Sequence, residues 1–156
     1  MLKRRLAGSL LAASLALATP LAMLSEGKSN TAYRDPVGIP TICYGYTHGI
    51  TMLTPAKSNE ECTKLLDSEM LSTLQYVQGK AQVALSAEEL AAYGDFTYNV
   101  GSGAFAKSTL LRKLNAGDRA GACNELSRWV YAGGKRLGGL VKRRAAEREL
   151  CLSGIE

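Results

Sequence analysis

The residues best suited to chemistry stand close together in "SEGKSNTAYRDPVGIPTICYGYT", residues 25–47, where Glu26, Asp35 and Thr41 offer two carboxyls and a hydroxyl. Cutting a glycosidic bond takes an acid to protonate the leaving oxygen and a carboxylate to assist attack from the opposite face. Two acids nine positions apart are common by chance, so their surroundings must separate their roles. Glu26 follows an apolar run, where nonpolar neighbours would favour its protonated form. Asp35 lies in "YRDPVG", a turn open to water that would keep it ionised. Thr41 opens the next extended stretch and is placed to hold a water against Asp35.

Those residues need elements to carry them. From Tyr33 to Thr54 the chain alternates β-branched and aromatic residues with Gly and Pro, which predicts a small antiparallel sheet or hairpins. "SNEECTKLLDSEMLSTLQYVQG" predicts a long helix capped by Ser58 and Glu61, with Cys62, Leu65, Leu66, Met70 and Leu74 on one face. "SAEELAAYGDFTYNVGSG" opens with a second capping box, Ser86 and Glu89, and ends in glycines. Shorter helices follow in "STLLRKLNAGD" and, from Asp118, in "DRAGACNELSRWV". The glycines around 133–139 predict a turn, and "LVKRRAAERELCL" a last helix. The expected class is α+β, mainly helical, in one domain of a size that buries a proper core.

The N-terminus is of another kind. Lys3, Arg4 and Arg5 precede 19 uncharged residues, Leu6 to Leu24, and no acid occurs before Glu26. As a helix that run spans about 28 Å, close to a bilayer core of about 30 Å. The basic start would hold the N-terminus in the cytoplasm. A cleaved signal peptide, with Ala16-Leu17-Ala18 before the cut, competes with an uncleaved anchor. Pro20 lies just after that cut and the apolar run continues past it, which favours the anchor. Six of the 19 residues are Ala, and Gly8, Ser9, Ser14, Thr19 and Pro20 dilute it further, so its residence in a bilayer should be marginal.

The net charge of +5 comes largely from this start; the rest holds 16 basic and 14 acidic residues, too even for a nucleic-acid partner. Lys135, Arg136, Lys142, Arg143, Arg144 and Arg148 cluster near the C-terminus, either as a solvated helix face or as an attraction to a polyanionic surface. Cys43, Cys62, Cys123 and Cys151 include no C-x-x-C pair, so zinc is not indicated; after an export signal they suggest up to two disulfides. His48, the one histidine, has no second ligand in view and reads as a hydrogen-bonded loop residue. No metal and no cofactor is expected.

The Glu-(eight)-Asp-(five)-Thr spacing resembles that of the phage-type lysozymes, the endolysins of glycoside hydrolase family 24, and falls on Glu26, Asp35 and Thr41. "YNVGSGAFAKSTLLRKLNAGD" and "RWVYAGGKRLGGLVKRRAAERELCL" match further blocks in order, so the resemblance covers residues 25–153. It implies two lobes joined by a long helix, with a cleft between them. It also implies Glu26 as general acid, Asp35 as base for a water that Thr41 positions, and hydrolysis of the β-1,4 bond between N-acetylmuramic acid and N-acetylglucosamine in peptidoglycan. Asn99 matches a substrate-binding position lining the cleft, with Trp129 packed nearby, either as core or as a sugar platform. One of Arg143 and Arg144 would pair with Glu26. The apolar start resembles the signal-anchor-release branch, which divides the chain into an anchor, 1–25, and a catalytic domain, 26–156. On that reading a monomer with its body in the periplasm is tethered, inactive, to the host inner membrane and becomes soluble on release. The anchor holds no cysteine, so a conformational switch is expected rather than a thiol one, with Cys43–Cys62 and Cys123–Cys151 as the favoured pairs. A silent wall-binding protein and a holin-like membrane protein are the competing readings; an intact triad argues against the first and a body of some 130 residues against the second.

Overall fold

The computed structural model describes residues 2–155. Helix α1 (Leu2–Ser25) leads into the antiparallel strands β1 (Ser29–Arg34) and β2 (Pro40–Cys43), which pair Tyr33 with Thr41 and Arg34 with Pro40. Helix α2 (Asn59–Lys80) follows, then α3 (Ala87–Val100), α4 (Ser102–Ala106), α5 (Thr109–Asn115) and α6 (Arg119–Glu125). A 3₁₀ turn (Leu126–Arg128), a second hairpin of β3 (Tyr131–Ala132) and β4 (Lys135–Arg136), and α7 (Gly138–Ser153) complete the chain. The fold is α+β and mainly helical, as the sequence suggests. The second hairpin is not expected from sequence, and "DRAGACNELSRWV" is a helix only to Glu125.

Both capping boxes form. The Ser58 hydroxyl accepts from the Glu61 backbone N–H at 3.1 Å, and the Glu61 carboxylate accepts from the Ser58 N–H at 2.7 Å. Ser86 and Glu89 repeat the exchange at 3.1 and 3.0 Å. Each box satisfies two donors that the helix start would otherwise orphan. Gly94 then lets α3 approach α2: a Cβ there would meet Leu74 at 2.4 Å.

Two cores result. The smaller, Ile42, Cys43 and Cys62, joins the first hairpin to the start of α2. The larger holds Leu66, Met70 and Leu74 of α2 with Leu90, Tyr93 and Phe96 of α3, among others. Because α2 feeds both, it ties the sheet region to the helical body. Cys43–Cys62 closes the first core and Cys123–Cys151 ties α6 to α7.

Helix α1 does not stand apart from this body. Ser14, Ala18, Thr19 and Ala22 are buried, at the three- and four-residue spacings of one helix face. Ala18 and Ala22 belong to the larger core, and Leu11, Leu15 and Met23 pack against it. The small side chains let the helix sit close, and its two polar members are satisfied. The Thr19 hydroxyl donates to Asp67 of α2 at 2.6 Å, and the Ser14 hydroxyl to the Leu10 carbonyl at 2.7 Å. The opposite face leaves Leu6, Leu17 and Leu24 exposed. By length and composition the helix from Lys3 to Ser25 could also cross a membrane.

Candidate active site

Glu26 is the first residue after α1, and its N–H still bonds to the Ala22 carbonyl at 2.9 Å. The docking of α1 therefore fixes where Glu26 points. It lines a cavity of about 430 Å³ with Tyr44, Tyr46 and His48 of the sheet region, Glu69 and Thr73 of α2, and Thr97, Tyr98 and Asn99 of α3. Tyr98 spans it, donating to the Tyr44 carbonyl at 3.0 Å. Burial, then the carboxylates of Glu26 and Glu69, push the Tyr98 hydroxyl up to about 12. The buried Thr97 hydroxyl has no hydrogen-bond partner among the described residues and borders the same space.

The apolar pocket expected around Glu26 is not there. The carboxylate pairs with Arg143 of α7, whose Nη1 donates to its Oε1 at 2.8 Å. Arg144 points elsewhere, to Glu147, to Asn99 and to the Trp129 carbonyl. So the structure chooses Arg143 as the partner of Glu26. Of the six clustered basic residues, Arg143 and Arg144 are buried in ion pairs, while Lys135, Arg136, Lys142 and Arg148 stay exposed.

Asp35 and Thr41 both bond to Ile39 of the first hairpin, and neither lines the cavity. Asp35 is half-buried at the hairpin turn, where its Oδ1 accepts from the N–H groups of Val37 and Ile39, both at 2.9 Å. Thr41, buried on β2, donates to the Ile39 carbonyl at 2.9 Å. These bonds fix the turn and leave Oδ2 of Asp35 and the lone pairs of Thr41 for a further partner. Asn99 does line the cavity, as expected, and accepts from Arg144. Trp129 is half-buried with its ring edge-on to Phe96 at 5.1 Å, in the larger core, which favours its core reading. His48 lies in the loop after β2, as expected, and faces Glu69 at 3.6 Å. Among the described residues no group of three or more His, Cys, Asp or Glu could hold a metal ion.

Behind Glu26 lies a network the sequence does not announce. Arg143 donates Nε and Nη2 to Asp95 of α3 at 2.9 and 2.7 Å, and Glu147 lies 3.7 Å from its Nε. Burial opposes the charge on Arg143, yet its bonds to Asp95 and Glu26 hold its pKa above the usual guanidinium value. Burial and then the neighbouring Asp95 push Glu147 up to about 9, against the pull of Arg144. The folded protein keeps a proton on Glu147 that the unfolded chain releases above its ordinary value of 4.5. This group's contribution is therefore full below that value and declines as pH rises towards about 9, by up to ~1.4 kcal/mol per pH unit. Urea unfolding between pH 5 and 9 should show that decline, and Glu147→Gln should flatten it. A wild type with no such slope would contradict the assignment. The only advance signal of the network was helical spacing, since Glu147 follows Arg143 by four and Arg144 by three.

The model of the phage lysozyme family matches residues 24–147. The SAR-endolysin of Enterobacteria phage P21 is 43% identical over 129 residues, 83% of this chain and 78% of its own. A P22 lysozyme mutant superposes with a TM-score of 0.77 at 30% identity, over 86% of this chain and 94% of its own. The active form of the P1 phage endolysin Lyz gives 0.75 at 24% identity, over 92% and 85%, and so bears on the fold alone.

Proposed function

The chain belongs to the phage lysozyme family, and on that premise we propose that it is a muramidase of the signal-anchor-release kind, cutting the β-1,4 bond between N-acetylmuramic acid and N-acetylglucosamine of peptidoglycan. Glu26 protonates the glycosidic oxygen. Asp35, through the oxygen its turn leaves free, takes the proton of a water that attacks the anomeric carbon from the other face, and Thr41 accepts from that water to hold it. Attack opposite to departure inverts the anomeric centre and needs room for the water between the carboxyls. Asn99 contacts the sugar in the cleft. The observation that carries this reading is Glu26 at the end of a docked helix, held by Arg143 in a cavity.

The same helix supplies the control. Residues 1–25 in a bilayer would put Glu26 at its surface, whereas residues 1–25 against the body put it in the cleft. Both cannot hold at once. Release exchanges a marginal membrane segment for burial of Ala18 and Ala22 and a bond from Thr19 to Asp67. Residues 26–156 then act as a monomeric enzyme, first tethered to the periplasmic side of the host inner membrane and later free in the periplasm.

Purified walls should lose turbidity and gain reducing N-acetylmuramic ends with the wild type. Glu26→Gln, nearly the same shape, should be slower by about 10²- to 10⁴-fold, the range of a lost general acid. Undiminished hydrolysis by that variant would refute the assignment.

A further inference from the structure

We propose that Asp95 and Glu147 are positioning residues for Glu26: a buried carboxyl pair that holds a single proton and thereby sets how much of the Arg143 charge remains for Glu26. This rests on Glu26 being the proton donor.

Counting charges shows why one proton must stay. Arg143 and Arg144 supply two fixed positive charges, and Glu26, Asp95 and Glu147 three potential negative ones. Asp95 and Glu147 are fully buried and Arg143 nearly so, while Glu26 keeps 24% of its side-chain exposure. An uncompensated charge is most costly where water is absent, so the buried pair keeps one proton of its own whichever form Glu26, which reaches the cavity, is in. Glu147 accepts both of its short bonds from one nitrogen, Nη1 of Arg144, at 2.7 and 2.9 Å. Asp95 by contrast takes two nitrogens of Arg143, the bidentate geometry of a carboxylate. Burial and Asp95 together hold Glu147 well above the ordinary carboxyl range, in the same direction.

Other titratable or polar groups face Glu26 across its two cavities. Tyr98 and Asn99 approach from α3, Glu69 from α2, His48, Tyr44 and Tyr46 from the sheet region, and Lys142 from α7 in a second cavity of about 470 Å³ that Glu26 also lines. The Trp129 carbonyl occupies Nε of Arg144. Among the described residues, only the Asp95–Glu147 pair competes with Glu26 for Arg143 within the buried part.

The consequence is a tuned acid. An Arg143 charge given wholly to Glu26 would favour its carboxylate form and withdraw the proton that the glycosidic oxygen needs. Asp95 takes two of the three guanidinium nitrogens and leaves Glu26 one. Asp95→Asn removes that competitor. It should lower kcat on soluble glycan fragments by about 10-fold or more, with KM changed less than about 3-fold. The alkaline limb of the kcat profile, where the acid loses its proton, should move to lower pH. A fall in kcat with that limb unmoved would make the role of Asp95 structural and overturn the proposal.

Infrared difference spectra of the folded enzyme at pH 7 provide the second test and do not depend on activity or on Asp95→Asn folding. The wild type should carry the carbonyl band of a protonated carboxylic acid, and Glu147→Gln should lose it. Absence of the band overturns the shared proton even if Glu26→Gln is inactive. Conversely, an active Glu26→Gln would defeat the catalytic assignment and leave the band in place.

Discussion

Replacing Arg143 with Met is expected to destabilise the protein by about 3–5 kcal/mol and to take hydrolysis with it. The number is large because of what stays behind. Asp95 and Glu147 have no exposed side-chain surface, and Arg143 touches both as well as Glu26. Met fills much of the space but none of the charge, so Asp95 becomes an unpaired buried anion. Arg143→Lys should recover only part of the loss, since an ammonium cannot reproduce the fork on Asp95 while also reaching Glu26. Urea unfolding at pH 7 measures the first effect and wall turbidity the second. A cost below about 1 kcal/mol would mean that the pair is adequately solvated without its arginine.

Ala18→Phe should separate membrane residence from docking. Ala18 is fully buried in the larger core, and overfilling such a site costs about 1–3 kcal/mol or more. In a bilayer the same change is neutral to favourable. Both effects move the chain towards the tethered arrangement, so the expected result is normal export, protein retained in the membrane fraction, and lysis delayed or lost. No residue of the cleft is touched. The informative control is Ala13→Phe on the exposed side of α1, which adds the same bulk where docking has nothing to overfill. Equal lysis by Ala18→Phe and wild type would mean that docking is not what commits the enzyme.

Much of this was legible in the chain because it rests on local signals. The Ser-x-x-Glu boxes start α2 and α3 where the sequence puts them, and the turn-rich stretch before α2 does form a hairpin carrying Asp35 and Thr41. The favoured cysteine pairs are the ones formed. What stayed hidden depends on which helix faces which. Asp95 sits on α3 amid buried neighbours, from Glu89 to Thr97, and nothing in its own segment says that an arginine 48 residues later will meet it. The choice between Arg143 and Arg144 turns on about 100° of rotation around α7, finer than apolar spacing resolves on a helix this polar. The strands of the second hairpin are two residues each, too short for any periodicity.

The surroundings of Glu26 teach most. An apolar helix leading into an acid invites the idea of an apolar pocket, but the helix buries Ser14, Ala18, Thr19 and Ala22 against the body and delivers Glu26 to a buried arginine. Its amino-acid content suits a bilayer only marginally because it must also suit a protein core. On the proposed function, that double fitness is what would tie membrane release to catalysis.

The most direct test uses the full chain in proteoliposomes of bacterial phospholipid, body outward, presented with soluble peptidoglycan fragments before and after the anchor is freed with detergent. Hydrolysis should be near zero while residues 1–25 are inserted and should rise to the rate of the soluble enzyme on release. Equal rates in the two states would show that Glu26 reaches the cleft without α1 docking, and would contradict the account.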